Sequence, residues 1–194
     1  MKRSSISGTY RASRQVIREV ALEDGVCDPF EGTVIPNPGT PAHPRLPLDL
    51  VEPLLRAVDT HLWTSDLQRS RNAVMIRLYV IAGMRLSEPI KLLNDDVGWD
   101  TGDIVVRGGK GPHGGKTRTV SCPSLVPYLQ AYREARRRTG RQEPEFLVSL
   151  TRRGRIGTRT AERLFADLGE RIGLHLHALM LRRTAADLMR VCGA

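Results

Sequence analysis

The sequence predicts a mainly α-helical fold with a small three-stranded antiparallel sheet, an α+β architecture. Apolar residues recur at helical spacing along most of the chain, and the period shortens to that of β-strands only between about residues 97 and 121. The chain has 194 residues, of which 40% are apolar and 5% aromatic. This composition supports one medium-sized domain with an aliphatic core, together with a tail.

The chain begins with one predicted helix and a proline-rich stretch. Residues 10–24 place apolar side chains on one side and charged ones on the other, which indicates an amphipathic helix. Residues 28–47 carry six of the twelve prolines, and proline fixes φ and lacks an N–H, so this stretch is predicted to be extended. A lone helix does not bury a core. We therefore divide the chain into a domain remnant or docking helix (1–30), a linker (31–47) and a main domain (48–194).

Three helical segments are predicted directly after the linker. The first, at 48–59, is amphipathic. The second, at 71–82, is apolar nearly all round, which predicts that it is the central helix of the fold. Gly83 ends this helix, and Ser87 is expected to cap a third, short helix that continues to Leu93.

The predicted sheet lies in the middle of the main domain. Its strands are predicted at 97–99, 103–107 and 117–121. The turn WDTGD joins the first two strands, and the glycine-rich loop GGKGPHGGK joins the last two. Further helices are predicted at 125–138, 160–172 and 178–191.

The charge of the chain favours a polyanionic partner. There are 30 Lys and Arg against 21 Asp and Glu, a net charge of +9, and most of the basic residues are arginine. The planar guanidinium group pairs with two phosphate oxygens at once, which favours nucleic acid. A solvated arginine-rich surface is the alternative. Both alternatives stay open for two arginine clusters: Arg133, Arg136, Arg137, Arg138 and Arg141 in the first, and Arg152, Arg153, Arg155 and Arg159 in the second.

Several other classes of protein are disfavoured. The three cysteines, Cys27, Cys122 and Cys192, are far apart and form no CxxC pair, which argues against a disulfide framework or a zinc site. No apolar run reaches the ~18 residues of a membrane span, and the N-terminus has no signal-peptide core. We therefore expect a cytoplasmic protein without membrane contact, metal or cofactor.

Three motifs contain the candidate functional residues, and their order along the chain can be compared with that of known families. They are AGMRLSE at 82–88, GKG at 109–111 with KTRTV at 116–120, and LRRTAA at 181–186. This set resembles the A-G-x-R-x-S-E box, the lysine hairpin and the L-R-H-T-x-A box of the tyrosine recombinases, the phage integrase family. The resemblance covers roughly 46–194.

The resemblance implies a catalytic domain that binds double-stranded DNA without a cofactor. In this family the arginines at the positions of Arg85 and Arg182 bind the scissile phosphate, and the hairpin lysine protonates the leaving 5′-oxygen. Lys110 matches that lysine, and Lys116 is a rival because the hairpin contains extra residues. Contacts with DNA are also expected from Arg118, Lys116, Arg183, Arg152 and Arg153.

The chemistry of phosphodiester cleavage gives a reason for two arginines at such a site. A phosphodiester under attack gains negative charge on its non-bridging oxygens, and two guanidinium groups neutralise that charge. Arg85 follows a glycine break after a buried helix, so a rigid element fixes its direction. Plainer interpretations exist as well. Arg85 would then pair with Glu88 three residues later, while Lys110 and Arg182 would be ordinary surface cations.

Two positions depart from the family pattern. The family has a histidine three residues before its second arginine, where this chain has Leu179. His177 is the candidate replacement for that histidine, or else a partly buried polar residue. The histidine that usually follows the arginine is replaced by Arg183, which keeps a positive charge but does not titrate near neutral pH.

The nucleophilic tyrosine of the family follows the second arginine, whereas all four tyrosines of this chain precede Arg182. Covalent catalysis then lacks its first step. We expect a catalytic domain truncated before its tyrosine, with the last helix of a DNA-clamping domain at its N-terminus. It would bind DNA without cutting it, and an intact recombinase or a second copy would be a possible partner. The alternative is a non-catalytic regulatory protein that occupies recombination sites; the ordered motifs argue against a basic RNA-binding protein.

Overall fold

The computed structural model describes residues 3–32, 44–108 and 117–191, with side chains from residue 13 onward. The chain divides into two compact units, Met1–His43 and Pro44–Ala194.

The first unit contains helix α1, Arg3–Asp24, so the predicted helix is confirmed and begins earlier than expected. Ala21 is buried, and Val26 N–H donates to its carbonyl (3.0 Å) where the helix ends. Other apolar side chains of this segment are exposed: Val16, Val20, Leu22 and Val26. Residues 33–43 of the predicted linker lie outside the described residues.

Helices form most of the second unit. Its described α-helices are α2 (Val51–Thr60), α3 (Asp66–Val80), α4 (Glu88–Lys91), α5 (Val126–Arg138), α6 (Thr158–Ile172) and α7 (Ala178–Val191). The predicted helices are confirmed, with changes at their ends. Helix α3 begins before residue 71 because the Ser65 side chain accepts the Gln68 N–H (3.2 Å) and caps it. Over the described residues, no helix is long and apolar enough to cross a membrane.

Helix α3 is the centre of the core, as its apolar sequence predicts. Residues 71–80 are all buried, and α3 packs against α2, α5 and α7. The two arginines within this stretch have internal partners, because Arg71 donates to the Val148 carbonyl (3.1 Å) and Arg77 pairs with Asp59 (2.6 Å). A buried charge is tolerated only with such partners.

The expectation of a purely aliphatic core is incomplete. Tyr79 packs edge-on against Phe165, with ring centroids 5.0 Å apart. Phe146 contacts both Tyr132 and Trp99 at centroid distances of 5.6 and 5.2 Å. Although aromatic residues are few, most of them lie in these two groups because a ring removes a large apolar area from water.

The described sheet has two antiparallel strands, β1 (Asp103–Val106) and β2 (Arg118–Ser121). Their register pairs Asp103 with Ser121 and Val106 with Arg118. Ile104 and Val106 face the core, while the other face of the sheet is more exposed. The glycine-rich loop between the strands, residues 109–116, lies outside the described residues.

The prediction of a third strand at 97–99 is wrong. Val97 makes only an isolated bridge with Ile104. The chain turns directly after Val97: Gly98 N–H donates to the Asp103 carbonyl (2.7 Å), and Gly102 N–H donates back to Gly98 (2.7 Å). The turn therefore begins where the strand was expected to continue.

In the first arginine cluster Arg136 is buried, whereas Arg133, Arg137 and Arg138 keep 49–80% of their side chains exposed. Arg136 is 5% exposed and donates to Asn94 Oδ1 and to backbone carbonyls of the 143–146 segment. The other members form ion pairs with neighbouring acids at 2.7–3.0 Å, namely Arg133–Asp100, Arg137–Glu134, Arg138–Glu134 and Arg141–Glu143. Arg136 is therefore a structural arginine, whereas both alternatives stay open for the exposed members, whose ion pairs lie at the surface.

Candidate functional site

The turn between α3 and α4 fixes the backbone of Arg85. Gly83 adopts a left-handed conformation (φ +60°) after the end of α3, which favours glycine. Met84 is fully buried and its N–H donates to a carbonyl in the last turns of α3 (3.1 Å). Tyr79 Oη donates to the Leu86 carbonyl (2.9 Å). Arg85 is thereby held at the surface, with 58% of its side chain exposed.

The carboxylate of Glu88 lies beside Arg85 and is almost completely buried, with 8% of the residue exposed. It accepts the Arg85 N–H (2.7 Å) and Nη1–H (2.9 Å). Ser87 occupies the N-cap position of α4, but its side chain makes no capping bond, and α4 ends at Lys91 rather than near Leu93. The expected cap by Ser87 is therefore wrong, because Ser87 has helical backbone angles (φ −86°, ψ −13°) rather than the extended angles of a capping residue.

Strand β2 brings a second arginine to the same carboxylate. Arg118 Nη1 and Nη2 donate to the two oxygens of Glu88 at 3.1 and 2.8 Å. This is the two-pronged geometry that a guanidinium group makes with a carboxylate. Arg118 was expected to contact DNA, and the structure places it next to Arg85.

Helix α7 brings the third arginine. Arg182 Nη1 donates to the Gly83 carbonyl (2.8 Å) and lies 3.7 Å from Glu88 Oε2. The side chain is about two-thirds buried, with 34% exposed. Arg85 and Arg182, far apart in sequence, therefore meet around Glu88.

The electrostatics of this cluster, Arg85, Arg118, Arg182 and Glu88, favour an anion. Burial alone raises the pKa of Glu88, but hydrogen bonds from Arg118 and Arg85 outweigh it and hold this pKa at about 2. The bond with Glu88 raises the pKa of Arg118, whereas burial and the neighbouring Arg85 lower the pKa of Arg182. Guanidinium groups stay protonated in proteins. Three cations around one anion leave the cluster with two excess positive charges.

Arg85 also keeps donors for a ligand. Its Nη1 is bound to Glu88, while Nε and Nη2 have no hydrogen-bond partner among the described residues. A guanidinium group that is oriented by one bond and exposed elsewhere is suited to an external phosphate oxygen. Arg85 therefore pairs with Glu88, as the plainer interpretation predicts, and also faces solvent beside two other arginines, while phosphate binding by Arg85 stays a prediction.

Other predicted site residues lie around or apart from this cluster. Arg183 follows Arg182 on α7, is half-buried, and has no ion pair among the residues that the structure describes. Arg152 and Arg153 are exposed in the loop before α6, and no described hydrogen bond or ion pair joins them to the cluster. Lys110 and Lys116 lie outside the described residues.

His177 caps helix α7. Its Nδ1 accepts the Met180 N–H (3.2 Å), three residues further along, and the ring is half-buried. Because Nδ1 is an acceptor, the neutral ring carries its proton on Nε2. Leu179, at the position of the family histidine, is 45% exposed.

Sequence reasoning missed two members of the site. Glu88 was considered only as the partner of Arg85, although it also binds Arg118 and lies near Arg182. Gly83 was considered only as a helix end, although its carbonyl holds Arg182. The only signal in the sequence was that both belong to the AGMRLSE motif, since contacts over 30 and 99 residues are set by the tertiary fold.

Comparison with known proteins identifies relatives of this chain. The sequence model of the phage integrase family matches residues 44–193. Tyrosine recombinase XerA of Thermococcus kodakarensis is 35% identical over 148 residues, which are 74% of this chain and 50% of that protein. XerA of Thermococcus onnurineus is 32% identical over 151 residues, 75% of this chain and 51% of that protein. The chain thus spans about half the length of these recombinases.

Solved structures share the fold. A crystal structure of XerA recombinase has a TM-score of 0.65 at 26% identity and covers 95% of this chain and 64% of its own. The Tn1549 transposon integrase in complex with transposon right end DNA has a TM-score of 0.73 at 14% identity, with 100% and 69% covered. The XerH recombinase bound to its difH substrate has a TM-score of 0.63 at 19% identity, with 83% and 46% covered. Since the family match extends over most of the sequence, the chain belongs to the phage integrase family, and its relatives there are tyrosine recombinases.

Proposed function

We propose that residues 44–193 form the phosphate-binding part of a tyrosine recombinase active site, which holds a phosphodiester of double-stranded DNA during site-specific recombination or integration. The observation that carries this proposal is the convergence of Arg85, Arg118 and Arg182, from three separate elements, on the buried Glu88. A cluster with two excess positive charges at a partly exposed surface suits a phosphodiester, which carries one negative charge and gains a second under attack.

Arg85 and Arg182 would bind the non-bridging oxygens of the phosphodiester. Their orientation is set before the ligand arrives, Arg85 by Glu88 and Arg182 by the Gly83 carbonyl. Donors that are already aimed stabilise a developing charge without reorganisation, which makes the stabilisation effective. Glu88 would touch no substrate in this arrangement and would act by holding the arginines.

The proton donor for the leaving oxygen is assigned from the motif alone. Lys110 matches the hairpin lysine of the family, with Lys116 as the rival, and the structure does not describe either residue. His177 would have Nε2–H available as a donor because Nδ1 caps α7. The histidine is one candidate for a further contact with the phosphate.

We assign no nucleophile among the tyrosines whose side chains the structure describes. Tyr79 and Tyr132 are fully buried and donate to the carbonyls of Leu86 and Phe146. The ring of Tyr128 lies under the Arg77 guanidinium group, 3.5 Å from its centroid. Strand transfer would therefore need a tyrosine other than Tyr79, Tyr128 and Tyr132.

Contacts beyond the cleaved phosphate would come from Arg183, Arg152 and Arg153, which have no acidic partner among the described residues. The first unit would belong to a DNA-clamping domain. The names of relatives support DNA as the partner, because the XerH and Tn1549 integrase structures contain DNA. They do not favour the alternative, a non-catalytic DNA-binding or regulatory protein that occupies recombination sites or pairs with an intact recombinase. The protein would act in the cytoplasm, where free thiols such as Cys27 and Cys122 persist.

The test is binding of a labelled DNA duplex, measured by fluorescence anisotropy over a salt series, with an RNA duplex of equal length in parallel. If about five phosphates are neutralised, log K should fall with log salt at a slope of about −4 to −5. The RNA duplex should bind more weakly, because an A-form helix presents its phosphates with different spacing. A slope near zero, or tighter binding of RNA, would reject the proposal.

A further inference from the structure

We propose that Gly83 is a positioning residue for Arg182: its missing side chain allows helix α7 to lie close enough for the Gly83 carbonyl to hold the Arg182 guanidinium group beside Arg85. This inference rests on the proposed function, because it concerns how Arg182 is presented to a phosphate. Gly83, the glycine of the AGMRLSE motif, would then position Arg182 in addition to ending α3.

The Gly83 carbonyl is the nearest polar partner of Arg182. The distance from Arg182 Nη1 to this oxygen is 2.8 Å, whereas its distance to Glu88 Oε2 is 3.7 Å. A hydrogen bond at the first distance has ordinary geometry, and the second is an ion pair without a direct hydrogen bond. The direction of Arg182 is therefore set mainly by the backbone of the Gly83 turn, and that turn also carries Arg85.

The space beside Gly83 is filled by helix α7. A Cβ added at residue 83 would lie 3.1 Å from Ala185 Cβ and 3.9 Å from the Arg182 carbonyl oxygen. Carbon atoms in favourable contact are about 3.5–4.0 Å apart. Ala185 is 1% exposed, and its Cβ is attached directly to the backbone of α7, so it does not rotate away. The helix would have to move instead, and Arg182 is one turn away on the same helix.

Helix α7 also makes a second buried contact, with the segment that contains Leu46. Thr184 is fully buried, and its Oγ1 accepts the Leu46 N–H (2.9 Å) and lies 3.1 Å from the Leu46 carbonyl. Helix α7 therefore lies between the Gly83 turn and the Leu46 segment. A side chain at residue 83 would either tilt α7 or displace the turn with Arg85. Both movements change the separation of Arg85 and Arg182.

Gly83→Ala tests this role, and Gly173→Ala is its matched control. Both glycines are left-handed, with φ of +60° and +69°, so alanine causes similar backbone strain at each. A Cβ at residue 173 would meet nothing within 4 Å, unlike a Cβ at 83. Ala185→Gly removes the opposing methyl group. The double variant Gly83→Ala/Ala185→Gly therefore keeps the strain and relieves the contact.

Two quantities are measured for the full chain of each variant. One is the ¹H–¹⁵N signal of the Arg182 guanidinium group by NMR, assigned by its loss in Arg182→Lys. The other is the dissociation constant for a DNA duplex at fixed salt. We expect Gly83→Ala to shift the Arg182 signal and to weaken duplex binding by about tenfold, the size of one lost charged hydrogen bond. The double variant should restore both quantities, and Gly173→Ala should change neither.

The inference is overturned if Gly83→Ala leaves the Arg182 signal where Gly173→Ala leaves it. It is also overturned if Ala185→Gly restores nothing, because strain at residue 83 would then explain the loss. A wild-type chain that does not bind the duplex rejects the proposed function instead. In that case the Arg182 signal alone decides the role of Gly83.

Discussion

Arg118 and Glu88, 30 residues apart in sequence, face each other through two parallel hydrogen bonds of 3.1 and 2.8 Å. This contact joins strand β2 to helix α4, and Glu88 in turn binds both the N–H and the side chain of Arg85. The position of Arg85 therefore depends on the sheet as well as on its own turn.

Glu88→Gln should lower the free energy of unfolding. The amide cannot accept all the hydrogen bonds that the carboxylate accepts from Arg85 and Arg118, and three arginines would face one another without an anion. The expected loss is about 1–3 kcal/mol, the range for charged hydrogen bonds of which one partner is buried. Urea unfolding at neutral pH measures it. Glu162→Gln, at an exposed position on α6, is the control and should change stability little.

The effect of Glu88→Gln should also depend on pH. The folded protein holds the pKa of Glu88 at about 2, below its ordinary value of 4.5. The unfolded chain therefore takes up a proton first as the pH falls, so the stability from Glu88 is complete above the ordinary value and is lost towards pH 2. The difference in unfolding free energy between wild type and variant should shrink across this window. A difference that stays constant from pH 5 to about pH 2 contradicts the low pKa.

The sequence predicts the elements of this fold better than the contacts between them. Helix α3 could be identified as central because seven of the ten residues from 71 to 80 are apolar, and all ten are buried. Arg136 could not be identified as buried, because its partners are mostly backbone carbonyls of residues 143–146, which a side-chain pattern does not reveal. The predicted strand at 97–99 failed for a similar reason. Hydrogen bonds of Gly98 begin a turn directly after Val97.

For the candidate site too, the sequence predicts residues better than the contacts between them. Arg85 and Arg182 could be chosen from their motifs, since each motif has a distinctive order of residues. Their meeting point at Glu88 could not, because the 3.7 Å approach of Arg182 depends on how α7 packs against α3. The density of arginines along the sequence did not predict which of them would form a cluster with excess positive charge. The crowded arginines at the end of α5 have acidic or backbone partners, while the fewer arginines around Glu88 outnumber the acid that they share.

Arg182→Ala should weaken duplex binding by about tenfold and make the slope of log K against log salt less negative by about one, as expected for one lost phosphate contact. Arg171→Ala is the matched control. Arg171 is exposed near the end of α6 and has no ion pair in the described part of the chain, so its removal changes the net charge equally. Anisotropy titrations over a salt series give both quantities. Equal losses for the two variants would mean that only net charge matters.

Thr184→Val should destabilise the second unit. The hydroxyl is fully buried and is the acceptor for the Leu46 N–H, so valine leaves a buried donor without a partner. The expected loss is about 1–3 kcal/mol in urea unfolding. Thr119→Val, at an exposed position of β2, provides the control because valine is favourable in a strand. If both variants unfold at the same urea concentration, the Leu46 contact contributes nothing measurable.

The last prediction concerns covalent chemistry by residues 1–194 alone. On a nicked duplex that traps the attacking tyrosine, this polypeptide should form no 3′-phosphotyrosyl adduct. Burial, with a smaller contribution from the charge of Glu88, raises the pKa of Tyr79, and burial also raises that of Tyr132. A phenol that is buried, hydrogen-bonded and hard to ionise does not attack phosphorus. The arginine cluster stabilises charge but provides no attacking atom.

A denaturing gel of the labelled duplex decides this question, with the wild type and the four Tyr→Phe variants run side by side. We expect no protein–DNA band in any lane, although the same samples bind the duplex in solution. A band that disappears in one variant would identify a nucleophile and contradict the assignment. Adding a separate polypeptide that carries a recombinase tyrosine segment extends the test. If a band then forms with wild type and is lost with Arg85→Ala, the arginine cluster activates a phosphate for a tyrosine that is supplied separately.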